Sequence, residues 1–397
     1  MIEIVKIKKH IKQIRGISYG GNDSINNPQE GYLPILRSNN INEGSLNFEN
    51  LVYVPINLVK TYQLLKKGDL VITASTGSIK VIGKNGAVQE DYIGSFGAFC
   101  KVVRPLESIN PGYLKHFFQS NYYRKTIQNV INGANINNIK NEHLDDLLIP
   151  FPNLPTQQKI ANILDKADEL RQYNKQLVEK YDALTQSLFF DMFGDPVNNE
   201  KGWEVKNGNE YCEKISVGVV IRPASYYVDK GVIALRSLNI KPNRIDLKDL
   251  VYFSKINSET TLAKSQLKTD DVVIVRTGST GTAAIIPKEL DNCNCIDLII
   301  TRPNKSIINP LYLVYFFNSE RGKNIVSGHE VGGIQKHFNI GSIKNLNIPT
   351  PPVNFQNKFA ERVQLIETQK KQAQEALEKS EALFQSLLQK AFKGELN

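Results

Sequence analysis

Cysteine is scarce in this chain. Cys100, Cys212, Cys293 and Cys295 are four in 397 residues and unevenly placed, which excludes the disulfide framework of small secreted domains and makes a reducing cytoplasm the expected setting. Cys293 and Cys295 form the only close pair, with no second Cys or His pair beside it, and read as buried or edge-strand thiols. The five histidines, His10, His116, His143, His329 and His337, stand apart, so no metal site is expected. Long apolar runs are missing too. No stretch approaches 18 uninterrupted apolar residues, and residues 1–9 hold no apolar signal segment, so the chain is expected to be neither membrane-spanning nor secreted. Two catalytic signatures are also absent. An amino-methyltransferase would need an Asn-Pro-Pro-Tyr-like motif to hold its target amine, and neither Asn-Pro-Pro nor Asp-Pro-Pro occurs. A restriction-type nuclease would need a Pro-Asp pair, and none of the 17 prolines precedes Asp. No catalytic residue is expected.

What the chain does have is a duplicate of itself. Leu-Pro-Ile-Leu-Arg-Ser-Asn-Asn-Ile at Leu33 to Ile41 returns as Val-Ile-Ala-Leu-Arg-Ser-Leu-Asn-Ile at Val232 to Ile240, about 200 residues later. The spacing then holds: Leu51-Val52-Tyr53 matches Leu250-Val251-Tyr252, Asn110-Pro111 matches Asn309-Pro310, Phe117-Phe118 matches Phe316-Phe317, and Ile149-Pro150 matches Ile348-Pro349. Such a period is far beyond the 20–50 residues of solenoid repeats. It marks a duplicated domain, consistent with a length beyond what one core usually serves. Composition, at 41% hydrophobic and 22% charged, is that of a folded protein. Net charge of +9 makes a polyanionic partner plausible.

Within each copy, β-branched and aromatic runs predict strands: 70–73 and 96–103 in the first, 271–275 and 296–300 in the second. Asn110-Pro111 and Asn309-Pro310 have the pattern of a helix N-cap followed by Pro at the first helical position. Each copy then enters a long helix. In the first, Ile160, Ala167, Asn174, Tyr181 and Leu188 occupy one core position of a heptad, and Ile163, Leu170, Leu177 and Leu184 the other. Gly194 and Pro196 should stop it. The second repeats the spacing with Phe359, Ile366, Ala373, Ser380 and Leu387, and with Val363, Leu377, Leu383 and Phe384 alongside. About 38 helical residues at 1.5 Å each make a rod of roughly 57 Å. Two such stripes in one chain should pair with each other, parallel or antiparallel, with Asn174 fixing register. Beyond the seam, Leu188 to Phe193 and Leu383 to Phe392 carry more apolar bulk than two helices can cover. That surplus either packs on the globular domains or docks partner subunits.

The boundary sequences resemble a known family. Leu-Ile-Pro-Phe-Pro-Asn-Leu-Pro-Thr-Gln-Gln-Lys-Ile-Ala at 148–161, its counterpart at 348–360, and Phe-Gly-Asp-Pro at 193–196 followed by Gly202-Trp203 are similar to the DNA specificity subunits of Type I restriction–modification systems. The resemblance covers the whole chain, including the Gly68 to Ser78 run and its partner Asp270 to Ser279. It implies an α+β architecture of two tandem mixed target recognition domains, 1–153 and 195–353, separated by spacer helices 154–194 and 354–397. These would form an intramolecular antiparallel coiled coil with pseudo-two-fold symmetry. It further implies that each recognition domain reads half of a bipartite asymmetric site on double-stranded DNA. The coiled coil would set the spacing and dock two methyltransferase subunits, and restriction and translocation subunits would join. The chain itself would bind no cofactor; S-adenosylmethionine, ATP and Mg²⁺ belong on the partners. A coiled-coil adaptor whose globular domains bind protein or another nucleic-acid form is the rival reading.

The repeat sorts candidate contacts. Residues identical in both copies cannot distinguish two half-sites, so Arg37 and Arg236 point to core ion pairs or phosphate contacts. Thr76, Ser78, Thr277 and Ser279, in Thr-Gly-Ser turns, and Arg276, without equivalent in the first copy, are further backbone candidates. Base readers should lie where the copies diverge: Asn22, Asn26, Asn27 and Gln29 against Arg222, Tyr226 and Tyr227, and Asn135, Asn137 and Asn138 against His329, Gln335, Lys336 and His337. Asn and Gln suit adenine and Arg and Lys suit guanine, at about 1–3 kcal/mol of discrimination per good pair.

Overall fold

A computed structural model describes residues 2–131, 138–328 and 338–396. The chain divides into two compact units, Met1–Gln176 with Gln374–Asn397, and Leu177–Ala373. The first unit is built on an antiparallel four-stranded sheet in the order Ile11–Arg15, Cys100–Pro105, Leu70–Thr73, Asn85–Ala87. Leu70–Thr73 is buried at every position, because the sheet is covered on both faces. Alternation along the strand sends Leu70 and Ile72 into a core shared with Tyr113, Phe117 and the long-helix residues Ile160 and Leu164. Val71 faces a second core with Ile14, Leu36 and Phe96. That second core is closed by a smaller sheet, Val52–Pro55, Tyr32–Leu36 and Ser95–Phe96, antiparallel on one side of its central strand and parallel on the other.

The second unit repeats the plan with Cys212–Val217, Leu298–Pro303, Val272–Val275 and Ala283–Ile285. Val272 and Ile274 again face the helical core, while Val273 and Val275 face the other. Its smaller sheet gains a strand, Tyr227–Val228, beside Val251–Phe253. The run expected as one strand over 96–103 is instead two, Ser95–Phe96 and Cys100–Pro105. A turn interrupts it, with the Cys100 amide donating to the Gly97 carbonyl at 2.8 Å. In the second copy Asp297, at φ +51, breaks the corresponding run. All four cysteines are buried free thiols. Burial pushes Cys100, Cys212 and Cys293 up to about 12 and Cys295 well above its usual range, so none is a reactive thiolate.

The matched boundary residues build one joint twice. Asn110 caps the helix Pro111–Phe117 by accepting from the Tyr113 amide at 3.0 Å, and Asn309 caps Pro310–Asn318 through the Leu311 amide at 2.8 Å. The backbone N–H of each Asn donates to the side-chain oxygen of a fully buried glutamine of the following long helix, Gln157 or Gln356, at 2.8 Å. Each Gln in turn donates to the carbonyl of Pro152 or Pro351. Tyr113 and Tyr312 hydroxyls donate to the carbonyls of Pro150 and Pro349. Every buried polar group at the joint thus has a partner, which is why these residues survive in both copies.

Both long helices, Leu154–Phe193 and Val353–Phe392, run 40 residues. Gly194, at φ +78, ends the first, and Trp203 Nε1 donates to the Phe193 carbonyl at the helix end at 2.8 Å. Within each unit the helix segments run antiparallel. In the first, Arg171 meets Glu381 and Asn174 Nδ2 donates to Ser380 Oγ at 3.1 Å and the Ala376 carbonyl at 3.3 Å. In the second, Asp182 meets Lys370 and Met192 meets Arg362. The seam differs from the expected one. Ile160, Ala167 and Asn174 are buried, with Tyr181 and Leu188 half-buried. Leu170 and Leu184, however, are 46% and 49% exposed, and Ile163 and Leu177 are only half-buried. The alternate position falls one residue later, on Leu164, Arg171, Val178, Thr185 and Met192. In the second helix Phe359, Ala373, Ser380 and Phe384 are buried, and Ile366 and Leu387 half-buried. Leu383, 47% exposed, lies outside the seam. The surplus apolar residues pack on the globular parts of their own units: Phe189 and Phe193 against Tyr312, and Phe392 against Tyr113 and Phe117.

One joint in the first unit titrates. Buried His116 reaches Asp165 Oδ1 of the long helix through Nε2 at 2.8 Å, and Lys115 meets the same oxygen. Burial lowers the His116 pKa below its ordinary 6.5 despite the hydrogen bond to Asp165. Asp165 is pushed up by desolvation, but hydrogen bonds from His116 and Lys115 outweigh this and hold it at about 2. An unfolded histidine binds its proton below 6.5 while the folded one resists, so the first unit should lose stability as pH falls from 6.5 through the lower folded value. The Asp165 contribution persists until pH drops below its ordinary 3.8 toward 2. Urea midpoints should therefore fall between pH 7 and 5.5, and His116→Gln should flatten that fall. An unchanged slope in the variant would assign the fall to other groups.

Candidate nucleic-acid interface

The described parts of the divergent segments lie at or near the surface of their own units. Asn22, Asn26, Asn27 and Gln29 are exposed in the connection from Ile11–Arg15 to Tyr32–Leu36. That connection is pinned at two points. The Gly20 amide donates to Asp23 Oδ2 at 2.8 Å, and Ile25 pairs with Tyr53. The second copy is organised differently. Arg222 is exposed at φ +45, a left-handed conformation uncommon for a residue with a Cβ, and its carbonyl accepts from the Ser225 amide and hydroxyl. Tyr226 is half-buried with its ring 6.3 Å from Phe253, whereas Tyr227 is more exposed, on the added strand. Asn138 is exposed and pairs with Ser75. Asn135, Asn137, His329, Gln335, Lys336 and His337 lie outside the described residues.

The backbone candidates fare unevenly. Among the described residues Arg37 and Arg236 form no ion pair, and each reaches a backbone carbonyl. Arg37 Nη2 donates to the Asn50 carbonyl at 3.0 Å and Arg236 Nη2 to that of Asp249, each acceptor residue at φ +51. Their backbone amides donate to Asn40 and Asn239, both at 2.9 Å. The repeated arginine ties down a left-handed turn. Arg276 is also committed: Nη1 meets Asp297 at 2.6 Å and Nε reaches the Phe338 carbonyl. Thr76, Ser78, Thr277 and Ser279 remain at or near the surface, with the Ser78 amide donating to Thr76 Oγ1 at 3.3 Å. Gly278 adopts φ +85 between Thr277 and Ser279.

Sequence reasoning missed a cleft beside these turns. In the first unit, Gln13, Arg15, Ser75, Phe99, Lys101 and Lys140 line a space of about 500 Å³. The available signal was a length difference, since Ala98-Phe99 stands where the second copy has Asp297 alone. Two tandem α+β units share one frame, differ in their exposed loops and are joined by paired antiparallel helix segments. They define a protein of two duplicated domains whose differences lie at the surface.

The chain belongs to the family of the Type I restriction modification DNA specificity domain, which matches residues 10–180 and 200–379. It is 31% identical over 406 residues to the StySPI specificity subunit of Salmonella potsdam, covering 96% of this chain and 86% of that protein. It is also 31% identical over 407 residues to the EcoKI specificity subunit of Escherichia coli K12, with the same coverage. The S subunit structure from M. genitalium has the same fold at a TM-score of 0.56 and 15% identity, over 98% of this chain and 96% of that one. A chain from a solved type I R-M system gives 0.56 at 17% identity, over 98% of each. Among the described residues no helix is long and apolar enough to cross a membrane.

Proposed function

We propose that the chain is the non-catalytic DNA-reading subunit of a cytoplasmic Type I restriction–modification complex, each recognition domain reading one half of a bipartite asymmetric site. One observation carries this: a repeated structural frame presents two different polar surfaces. Asn22, Asn26, Asn27 and Gln29 offer amide pairs suited to adenine. Arg222 offers a guanidinium suited to guanine, beside Tyr227. Two half-site readers in one chain gain about 10² to 10⁴ in avidity over one alone, and the net charge of +9 favours encounter with a polyanion. The paired helices would fix the unread gap at no more than about 17 base pairs, from a rod of roughly 57 Å and 3.4 Å per step. Two methyltransferase subunits and the restriction subunits would join this scaffold, and S-adenosylmethionine, ATP and Mg²⁺ would act there.

The test is selection from random duplexes by the chain in complex with its methyltransferase partner, followed by sequencing of the retained DNA. Two short different motifs at a fixed gap are expected. One continuous motif, or none, overturns the reading.

A further inference from the structure

Among the described residues Phe99 has the most exposed aromatic side chain, ahead of Tyr173 at 60% and Tyr62 at 50%. It is 68% exposed between fully buried Phe96 and Cys100. A frayed loop does not explain it. The Phe99 carbonyl accepts from the Ala74 amide at 2.9 Å and the Ser75 amide at 3.0 Å, and the Cys100 amide closes the turn onto Gly97. The backbone is fixed, and the ring is held out in water at a cost in apolar exposure.

Its surroundings are cationic and hollow. Phe99 lines the cleft of about 500 Å³ that carries Arg15, Lys101 and Lys140, and also a second of about 480 Å³ that carries Tyr19 and Arg37. Carboxylates are near as well: Gln13 Nε2 donates to Asp145, and Asp145 and Glu142 act on Lys101. Four cations against two carboxylates leave the face positive. A membrane or an apolar protein surface would call for contiguous apolar area, whereas here one ring rises among polar groups. A positive face with a projecting aromatic suits a polyanion whose bases have π faces.

The other copy lacks the ring. Its turn is one residue shorter, and Asp297 occupies the place, neutralised by Arg276 at 2.6 Å. The two units therefore differ here in chemistry as well as in length, as positions that distinguish two half-sites should.

We propose that Phe99 is a stacking residue of the first recognition domain, its ring entering the duplex at one base step of the half-site that this domain reads. The proposal rests on the DNA-reading function above and assigns a residue within it. Arg15, Lys101 and Lys140 hold the flanking phosphates while the ring replaces a base–base stack.

The test uses the full chain with its methyltransferase partner and duplexes carrying a fluorescent adenine analogue at successive positions of the selected site. Wild type should unstack the analogue at one step of a single half-site. Phe99→Ala should abolish that signal and weaken binding by roughly 10- to 100-fold, the range of base–aromatic stacking, without lowering the melting temperature, because the ring is exposed. Phe99→Trp should restore both. Unchanged binding by Phe99→Ala, or no unstacking by wild type at any position of a bipartite site that it does select, overturns the proposal alone. A lowered melting temperature with loss of both half-sites makes Phe99 structural and also overturns it. Failure of wild type to select a bipartite site overturns the underlying reading instead.

Discussion

Replacing Arg104 with alanine should destabilise the first unit by about 3–5 kcal/mol, the usual consequence of leaving a buried charge without its partner. Asp69 has no solvent exposure, and its carboxylate receives Arg104 Nε at 2.8 Å and Nη2 at 2.7 Å. The Lys66 amide supplies a third donor at 2.8 Å. Arg104 also donates to the Leu64 and Tyr62 carbonyls, so one side chain ties the end of a central strand to the loop before Leu70. Hydrogen exchange in Leu70–Thr73 and Cys100–Pro105 should report the loss locally. Adding Asp69→Asn to Arg104→Ala should recover much of it, since the orphaned charge is then gone. A single-variant loss below about 1 kcal/mol, typical of exposed pairs, would contradict this account. The second copy repeats the arrangement with Asp271 and Arg302 at 2.8 and 2.9 Å. Arg302 is more exposed, at 32%, so its removal should matter less.

Phe189→Ala should cost the second unit a similar amount, about 3–5 kcal/mol, from lost burial and the cavity left behind. Phe189 is 2% exposed, and its ring lies 5.2 to 5.9 Å from those of Phe190, Phe193, Tyr312 and Phe359. The chain's single tryptophan makes the measurement direct. Trp203 packs on Phe355 and is bonded to Phe193, so its fluorescence during urea unfolding reports this unit. A lowered midpoint there, with unchanged exchange protection in Leu70–Thr73, is the expected result. Coincident loss in both places would mean that the helix residue supports more than its own unit.

Much of the frame was legible because duplication prints it twice. The Asn-Pro caps, the Ile-Pro boundaries and the apolar Leu70–Thr73 and Val272–Val275 strands rest on local chemistry that a sequence displays openly. The helix seam was harder to see. Leu170 and Leu184 look like core residues, yet the next position turns inward instead, with Thr185 buried and Arg171 half-buried. Arg171 fits because its guanidinium lies 4.4 Å over the Phe384 ring and bonds Asp168 and Glu381. Hydrophobicity alone cannot reveal a polar seam residue whose cross-helix partners, Glu381 and Phe384, lie more than 200 residues away. Phe99 was hidden for a related reason. Its apolar neighbours made 96–103 look like one continuous strand, and only the Gly97 to Cys100 hydrogen bond breaks it. Arg37 and Arg236 showed the limit from the other side: their identity marked a shared role, but the backbone carbonyls they hold carry no sequence signature.

The first compact unit is not a continuous stretch of chain. It borrows Gln374–Asn397, and through them Phe384, Leu388 and Ala391, which sit at 1%, 2% and 1% exposure in its core. The second unit, Leu177–Ala373, is contiguous. During synthesis the domain made first must therefore wait, its apolar floor open, until Gln374–Asn397 leaves the ribosome, while the domain made second already has all its parts. A stop codon near position 373 would spare the complete unit and strike the one encoded farthest from it.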